Sequence, residues 1–421
     1  MADIGVNTDK RLVRIDGSCG GVSFSNMGSS GYTVKEVLLN ESILNPGLQT
    51  LVTLHSYIYM PGKDLDSFKG GQLQMSLSDG RNNSLSVGQK IYRLDNRDFN
   101  PSNVGATEEF TLHACDQSLL NDAKSLVSKS WKCESPDKIV KYVLQSCAGV
   151  RNLEVDSATP SRDYIAENIH PFQVVVQQAN VALDGDDPSF VHFMTYKNNG
   201  THHFKSLKKL CRGSVSSGNQ FYYNDTGKNE SSSMRSYDPE KQSAITFMFP
   251  CDFDLLSDIL NGVDESGQNI NSLTTVNPLN MAMQLFGMGG GSGGGLMSGS
   301  CGVGSGNAKQ SVTNKGTAKE QGGCETDVEK HLLKRQARMG LLEKDKIALR
   351  MTTVWRPDIH VGDLIGLNWQ NNRNSRNGQA GGVVYGSGTY LVTALTHKIM
   401  HGGFATTTMD CVAQTAGGGI V

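Results

Sequence analysis

The sequence predicts a multidomain α+β protein. Its 421 residues exceed the size of one ordinary domain and predict two to four of them. Segments in which apolar and polar residues alternate, the pattern of half-buried strands, occur before residue 115 and again after residue 345. Segments with an apolar residue every three or four positions, the pattern of amphipathic helices, lie between them. The chain should therefore contain two β-rich regions separated by a region rich in helix.

The N-terminal β-rich region is predicted from four alternating segments. In TLVTLHSYIYM, residues 50–60, successive side chains would point to opposite faces of a sheet, so that one face can be buried. The other three segments are residues 71–80, 87–99 and 108–116. Turn-forming sequences, PGKD, SDGRNN and NPSN, separate them. Strands at this spacing are typical of a small antiparallel barrel or sandwich.

The region from 116 to 210 opens with two predicted helices. The second helix has Ser135 as its N-cap and Pro136 in its first position, and Gly149 is a natural stop. The first helix, residues 117–131, would bury one face that is made of Leu119, Leu120, Ala123, Leu126, Val127 and Trp131. Both apolar faces need a partner layer, so we expect these helices to pack within one module.

A third helix and a hairpin complete this module. The helix, residues 171–183, begins at Pro171, which suits the first helical position. The hairpin, residues 189–204, would turn at KNNG, residues 197–200, because Asn and Gly accept the backbone conformation that tight turns require. Residues 116–210 are therefore predicted to form a helix-rich α+β domain.

The rest of the chain predicts a second β-rich region that an insertion divides. Residues 211–256 are rich in turns but contain the short apolar runs QFYYN and AITFMF, whereas residues 257–325 are polar and then glycine-dense. Thr326 and Glu329 form a capping box for a helix with a face of Val328, Leu332, Arg335 and Met339. Strands are then predicted in residues 346–355, 361–369 and 389–413, the last being a hairpin that turns at MHGG.

The charge balance argues against a protein that grips nucleic acid. The net charge is −2, with 39 basic and 41 acidic residues, whereas phosphate binding usually requires a basic excess. The basic runs at 205–212 and 330–338 are better explained as solvated helix faces or, for the second run, a partner interface. Nine cysteines without a CxxC pair predict free thiols in a reducing compartment, and no apolar run is long enough to span a membrane.

The glycine tract FGMGGGSGGGLMSGSCGVGSGN, residues 286–307, contains a formal dinucleotide-binding motif. Gly289, Gly291 and Gly294 match G-x-G-x-x-G. That motif requires a preceding strand and a helix that starts at once, but a helix-like segment precedes the tract and about twenty polar residues follow it. We therefore expect no nucleotide site here.

Other candidate sites are equally weak. His202 and His203 are adjacent on a predicted strand, so they point to opposite faces and should form the polar edge of the hairpin. The acidic turn at 184–188 lacks the alternating oxygen ligands of a calcium loop, and His397 and His401 lie on a strand and a turn. No G-x-S-x-G elbow or thiol-protease pattern occurs. We predict no catalytic, cofactor-binding or metal-binding residues and no cofactor, although distant residues can still assemble a triad.

The order of the segments resembles a known family. The relevant pieces are VKEVLLN, LVTLHSYIYM and GQLQMSLSDG near the start, NIHPFQVVVQQANVALDGDDPSFVHFMTYKNNGTHHFKSLKKL in the middle, and VGDLIGLN with GTYLVTALTHKIMHGGFATTTMDCV at the end. Together they resemble the baseplate hub proteins of contractile-tailed bacteriophages, a family related to the N-terminal part of type VI secretion spike proteins. The resemblance covers roughly residues 30–210 and 325–413. The strongest support for it comes from residues 155–210 and 361–412.

This resemblance implies an α+β, multidomain fold with two small antiparallel β-barrel tube domains, an inserted helix-rich α+β domain and a Gly-rich insertion. It implies four parts: 1–115, the first tube domain; 116–210, a lateral α+β domain; 211–256 with 345–415, the split second tube domain; and 257–344, the Gly-rich insertion plus the capped helix. Interfaces between protomers rather than catalytic residues would then carry the function.

The resemblance also implies a structural role without enzymatic activity. Three chains would form a homotrimer with a pseudo-sixfold ring, which meets the tail tube protein on one side and the central spike protein on the other. DNA would pass through the channel without specific binding, and no membrane insertion is implied. The protein would belong to the virion tail baseplate and be assembled in the host cytoplasm.

Two departures from the family pattern leave alternatives open. The glycine-rich insertion is unusually long, and Met288, Leu296, Met297 and Val303 lead to the hypothesis that it orders against a neighbour such as a tape-measure or spike segment. The chain ends soon after its last strand, so we expect the spike and any lytic enzyme to be separate chains. The alternatives are a component of a pyocin-like or type VI secretion machine, or a tail-associated cell-wall hydrolase.

Overall fold

The structure is a computed structural model of the chain. It describes residues 12–27, 32–56, 67–80, 82–98, 108–224, 244–246, 271–276, 309–314, 335, 339, 342, 349–370 and 388–413. The glycine tract 286–307, with Gly289, Gly291 and Gly294, and the capping box at Thr326 and Glu329 lie outside the described residues. So do Met288, Leu296, Met297 and Val303.

The first seven strands close into a barrel. They are β1 (Arg14–Cys19), β2 (Val22–Ser25), β3 (Tyr32–Ser42), β4 (Gln49–Ser56), β5 (Gln72–Ser78), β6 (Ser84–Asp98) and β7 (Glu108–Cys115). Their order around the barrel is β3-β2-β1-β5-β6-β7-β4, and β4 returns to pair with β3. The inward-facing residues of the alternating segments fill the interior, as the period of two predicts. A barrel rather than a sandwich is thus the architecture of the N-terminal region.

An α+β unit follows the barrel. Its helices are α1 (Gln117–Lys124), α2 (Pro136–Tyr142, extended by a π-helical turn, Val143–Cys147), α3 (Pro171–Val181) and α4 (Leu207–Arg212). Its strands are β8 (Val127–Glu134), β9 (Leu153–Val155), β10 (Arg162–Ile169), β11 (Phe190–Thr195) and β12 (Thr201–Ser206). One sheet has the order β11-β12-β9, and β8 pairs only with β10 among the described strands. A separate hydrophobic core lies between these sheets and helices.

The predicted helix over 117–131 is wrong in its second half. The helix ends at Lys124, and the chain then forms β8, which pairs with β10. Leu126 is 59% exposed rather than part of a buried face. The reason is that Val127, Lys129 and Trp131 also fit the strand period, and pairing with the distant β10 decides between the two patterns. The helices from 136 and 171 and the hairpin turn at 197–200 are confirmed.

A second group of strands continues the same sheet. It comprises β13 (Gln220–Asn224), β14 (Ala244–Thr246), β17 (Leu349–Val354), β18 (Leu364–Gln370), β19 (Gly388–Met400) and β20 (Ala405–Ala413). A separate parallel pair is formed by β15 (Asn271–Val276) and β16 (Lys309–Asn314). The strands of this sheet are mostly antiparallel, as expected, but β13 and β18 run parallel, and β2 meets β3 in parallel at one register position. Among the described residues, no helix has the length and apolar composition needed to cross a bilayer.

Strands β3 and β19 belong to both β-rich regions. They pair antiparallel from Glu36 with Met400 to Ser42 with Ala394, which joins the second group of strands to the barrel. Leu39 of β3 lies in the barrel core, whereas Ile43, just after β3, lies in the core of the second group. Glu41, between them, is a carboxylate at an inward position, and it marks the boundary between the two cores.

Candidate functional site

The candidate functional site is a buried junction around Glu41, where the barrel, the α+β unit and the second group of strands meet. The Glu41 side chain has no exposed surface. Its carboxylate accepts hydrogen bonds from the backbone N–H of Tyr196 at 2.7 Å and of Val361 at 2.9 Å. The Nδ1 of His360 lies 3.0 Å from Oε1 of the same carboxylate. One side chain therefore links all three units.

The chemistry of this junction explains why a charge is tolerated there. A buried carboxylate is stable only when donors replace its lost water, and Glu41 has three. Burial alone would lower the pKa of His360, but the hydrogen bond and the negative charge of Glu41 outweigh it and raise this pKa above its ordinary value. Glu41 thus favours the protonated form of His360.

Tyr196 is held at both of its ends. Its backbone N–H bonds to Glu41, and its hydroxyl lies 2.9 Å from both the Thr50 hydroxyl and the Gln49 carbonyl oxygen on strand β4. Burial is the main reason that the pKa of this phenol is raised well above its ordinary value. Tyr196 follows β11 directly, so these contacts fix the hairpin of the α+β unit against the barrel.

The predicted placement of His202 and His203 at a polar edge is wrong, although their opposite orientation is confirmed. β12 is the central strand of its sheet, and both side chains are buried. His202 stacks on His192 with ring centroids 5.3 Å apart, and His203 stacks on Phe193 at 4.9 Å. Burial lowers the pKa of both His202 and His203 to about 4, so both are neutral at physiological pH.

His202 forms part of a serine–histidine relay. Its Nε2 lies 3.0 Å from the Ser118 hydroxyl, and its Nδ1 lies 3.1 Å from Nε2 of His192. A nucleophilic serine requires a basic histidine that a carboxylate orients. Here the third group is His192, a neutral histidine, because burial lowers its pKa well below the usual range. The Nδ1 of His192 has no hydrogen-bond partner among the described residues. The relay is therefore suited to holding α1 against β12 and poorly suited to catalysis.

Ser118 and His202 lie at one side of a cleft of about 990 Å³ between the barrel and the α+β unit. The closest approach of the two walls is at Gly88, where an added Cβ would lie 2.9 Å from Nδ2 of Asn199. The lining is mostly hydroxyls and amides, among them Ser18, Gln72, Gln74, Ser76, Ser86 and Asn121. The cleft offers many hydrogen-bonding groups but no concentration of charge, and we assign it no ligand.

The lysines of the run at 205–212 are paired with carboxylates. Lys205 and Lys197 contact Glu154, at 2.5 and 3.4 Å, and Lys208 lies 3.2 Å from Asp186. Burial raises the pKa of Glu154, but the hydrogen bond and charge of Lys205, with the charges of His203 and Lys197, bring it down to about 2. Cations that are already neutralised make a poor phosphate-binding surface.

Arg335 of the second basic run is not solvated. Its guanidinium donates to the Pro188 and Phe190 carbonyl oxygens, both at 2.9 Å, and to Oδ1 of Asn180 at 3.0 Å. Burial lowers its pKa to about 10, which still leaves it charged at neutral pH. The interface it forms is within the chain, against the end of α3 and the start of β11.

Thiols and metal ligands add no further site. Cys19, Cys115, Cys147, Cys211 and Cys411 are free, as expected, but Cys133 is disulfide-bonded, which contradicts the prediction for this residue. Burial is the main reason that the pKa of Cys19 and of Cys115 is raised to about 11, which makes both poor nucleophiles. In the part of the chain that the structure describes, no group of three or more His, Cys, Asp or Glu side chains is placed to hold a metal ion.

The remaining predicted positions behave as a strand and turns. His397 lies on β19 and is fully buried, with Nδ1 2.9 Å from the Thr407 hydroxyl, and His401 begins the turn before β20. The acidic segment 184–188 forms a tight turn in which the backbone groups of Asp184 and Asp187 bond to each other. The structure thus brings His397 near the Glu41 junction, and it places the other predicted positions elsewhere.

Comparisons with known proteins identify the fold. The chain matches no family model and no curated protein. It superposes on a tail protein from Neisseria meningitidis with a TM-score of 0.50 and 8% identity, covering 96% of this chain and 97% of that one. A 43 kDa tail protein of prophage MuSo2 from Shewanella oneidensis gives the same score and identity, with coverages of 96% and 99%. A component of the E. coli type VI secretion system scores 0.46 at 8% identity, with coverages of 95% and 77%.

These likenesses show a shared fold. The expected resemblance to tail proteins is confirmed at that level, and so is the α+β fold class with its closed barrel. At 8% identity, no residue of those proteins can be carried over to this chain. The boundaries expected for the four parts of the chain remain a prediction.

Proposed function

We propose that this protein is a structural hub of a contractile phage tail baseplate. One observation carries the proposal: two phage-type tail proteins share the fold over 96% of the chain. The organisation of the molecule supports it, because the closed barrel, the α+β unit and the second group of strands are joined by the paired strands β3 and β19 and by Glu41. A hub without enzymatic activity serves as a rigid connector, and a rigid connector needs a junction that fixes its units to one another.

In the assembled form, three chains make a ring with pseudo-sixfold symmetry around a channel. The ring joins the tail tube protein to the central spike protein within the virion. The net charge of −2 and the paired lysines support a channel that DNA crosses without being held. A ring also satisfies exposed strand edges and apolar surface that a monomer would leave open to water.

The oligomeric state tests this proposal. We expect purified protein, alone or with its tube or spike partner, to scatter light as a trimer of about 136 kDa, three times the 45.5 kDa of one chain. Averaged electron micrographs of the same particles should have a central hole. Dilution over a hundredfold range separates a stable trimer from one that needs its partner. Protein that stays monomeric and never forms rings with either partner would contradict the proposal.

A related machine is the alternative within the same structural class. A pyocin-like particle or a type VI secretion device would use a hub of the same fold. Neighbouring genes distinguish them, since capsid and terminase genes accompany only a complete phage.

We also propose that the chain has no cell-wall hydrolase activity. The support is the weak base in the Ser118–His202–His192 relay and the high pKa of the buried thiols Cys19 and Cys115. In a zymogram on purified cell walls, we expect no clearing from the wild type. Clearing that a Ser118→Ala variant abolishes would make this protein an enzyme.

A further inference from the structure

The α+β unit carries a pair of aromatic rings that already hold a cation. Trp131 of β8 and Tyr142 at the end of α2 lie nearly perpendicular, with ring centroids 5.9 Å apart and planes at 77°. The Lys129 ammonium lies 3.4 Å from the Tyr142 centroid and 5.4 Å from that of Trp131. Both distances are within the range at which a ring face attracts a cation. We call the space in front of these two rings the ammonium site.

The walls of the ammonium site are fixed. Lys129 and Trp131 are two residues apart on β8 and therefore project from the same face of the strand. Tyr164, which pairs with Trp131 in the β8–β10 register, packs behind it with centroids 5.7 Å apart. The Tyr164 hydroxyl in turn donates to Gln177 of α3. The Trp131 ring is thus held in place before any cation arrives, and Tyr142 packs edge-on against it, which lowers the cost of binding one.

The cation in the ammonium site is replaceable. Lys129 is exposed and Tyr142 is 40% exposed, so the site opens to solvent. Among the described residues, no carboxylate pairs with Lys129, and the two ring faces are what its ammonium contacts. A single exposed contact of this kind is weak, and the long lysine side chain can leave without disturbing the fold.

We propose that this site binds an alkylammonium group of a partner, and that Lys129 occupies it while the partner is absent. The occupant that the geometry supports is a lysine side chain of a partner polypeptide, because a lysine ammonium already lies against both rings. The proposal is independent of the hub function, since it depends only on the geometry of this surface. Lys129 then competes with the partner's ammonium group for the two ring faces and so lowers the apparent affinity for the partner.

The test follows the indole N–H resonance of Trp131 in full-length protein labelled with ¹⁵N-tryptophan, assigned with a Trp131→Phe variant. Choline and Nα-acetyl-lysine amide are titrated at constant ionic strength into the wild type, into Lys129→Ala and into Lys132→Ala. The last is the matched control, an exposed lysine on the same strand that projects from the opposite face. The neutral carbon analogue of choline, 3,3-dimethylbutanol, measures any purely apolar binding.

We expect a saturable shift in Lys129→Ala with a dissociation constant on the order of millimolar, and binding roughly two- to fivefold weaker in the wild type. Lys132→Ala should behave like the wild type, and adding Tyr142→Leu to Lys129→Ala should abolish the shift. Tighter binding of the lysine amide would support a polypeptide lysine as the occupant, and tighter binding of choline would overturn that assignment. The proposal fails if neither cation gives a saturable shift, or if 3,3-dimethylbutanol gives an equal one. Lys129→Gln replaces Lys129→Ala if the smaller side chain alters the fold.

Discussion

Replacing Glu41 by alanine is expected to lower the free energy of unfolding by about 3–5 kcal/mol. The carboxylate is fully buried and has three donors, on Tyr196, His360 and Val361. Its removal would leave two backbone N–H groups and Nδ1 of His360 without their hydrogen-bond partner, and each unsatisfied group costs free energy inside a protein. Equilibrium unfolding in urea, monitored by circular dichroism, measures the loss.

The matched control for this variant is Glu36→Ala. Glu36 lies on the same strand, but its side chain is 32% exposed and its partner Lys398 is 47% exposed. A surface pair of this kind contributes about 0–1 kcal/mol, so the control should unfold close to the wild type. Glu41→Gln should fall between the two, because the amide keeps an acceptor oxygen but loses the charge. Equal losses from Glu41→Ala and Glu36→Ala would mean that the junction does not hold the units together.

Acidification should destabilise the protein well above the pH at which carboxylates are protonated. Burial lowers the pKa of His202, His203 and His397 to about 4, from an unfolded value of about 6.5. Below pH 6.5 these histidines bind protons in the unfolded chain but not in the folded chain. The free energy of unfolding therefore falls until the pH reaches the folded pKa. Each histidine would contribute about 3 kcal/mol to the loss if its full shift were realised.

One histidine has the opposite sign. The pKa of His360 is raised by Glu41, against the effect of burial, so its contribution is complete below the unfolded pKa and declines as the pH rises through the folded pKa. Its contribution is therefore constant below pH 6.5 and changes only above it, so it does not affect the slope in the acid range. Glu154, with a pKa lowered to about 2 chiefly by Lys205 despite its burial, loses its contribution only below its ordinary pKa near 4.5. The window from pH 6.5 to 4.5 therefore reports on the buried histidines.

Urea unfolding at pH 7.5, 6.5, 5.5 and 4.5 measures this dependence. A His397→Gln variant should be less stable at every pH, yet its stability should change less between pH 6.5 and 4.5 than that of the wild type. His170, which is exposed, supplies the control: His170→Gln should leave the slope unchanged. A wild-type protein whose stability is flat across this window would show that these histidines take up protons in the folded state without penalty.

Local patterns in the sequence predict most of the strands but not the junction between them. The segments at 71–80 and 108–116 are strands because their alternation permits one face to be buried, and each pairs with β6, which lies close to it in the chain. Glu41 did carry a local signal, since it replaces an apolar residue in the inward phase of VLLNESI. Its partners did not, because Tyr196 and Val361 lie 155 and 320 residues away.

The errors have the same physical origin. Val127 and Trp131 fit a helical face as well as they fit a strand, and only the pairing of β8 with β10 decides between them. His202 is polar by residue type, yet it is buried because Ser118 and His192 provide partners from other elements. Local sequence patterns do not show which distant residues will contact a given side chain in the fold. The ammonium site was missed for the same reason.

The pairing of β3 with β19 has a consequence for synthesis on the ribosome. β2 contacts β3 at a single register position, Ser25 with Thr33, so the backbone edge of β3 from Glu36 to Ser42 is reserved for β19. Once β7 has completed the barrel, about 270 further residues must be translated before β19 exists, which takes roughly 14–55 s at ordinary rates. During that interval the nascent barrel presents an uncovered strand edge of the kind that recruits other chains. A ribosome that stalls after the barrel would therefore release a fragment prone to aggregate, and the last strands of the protein protect the first.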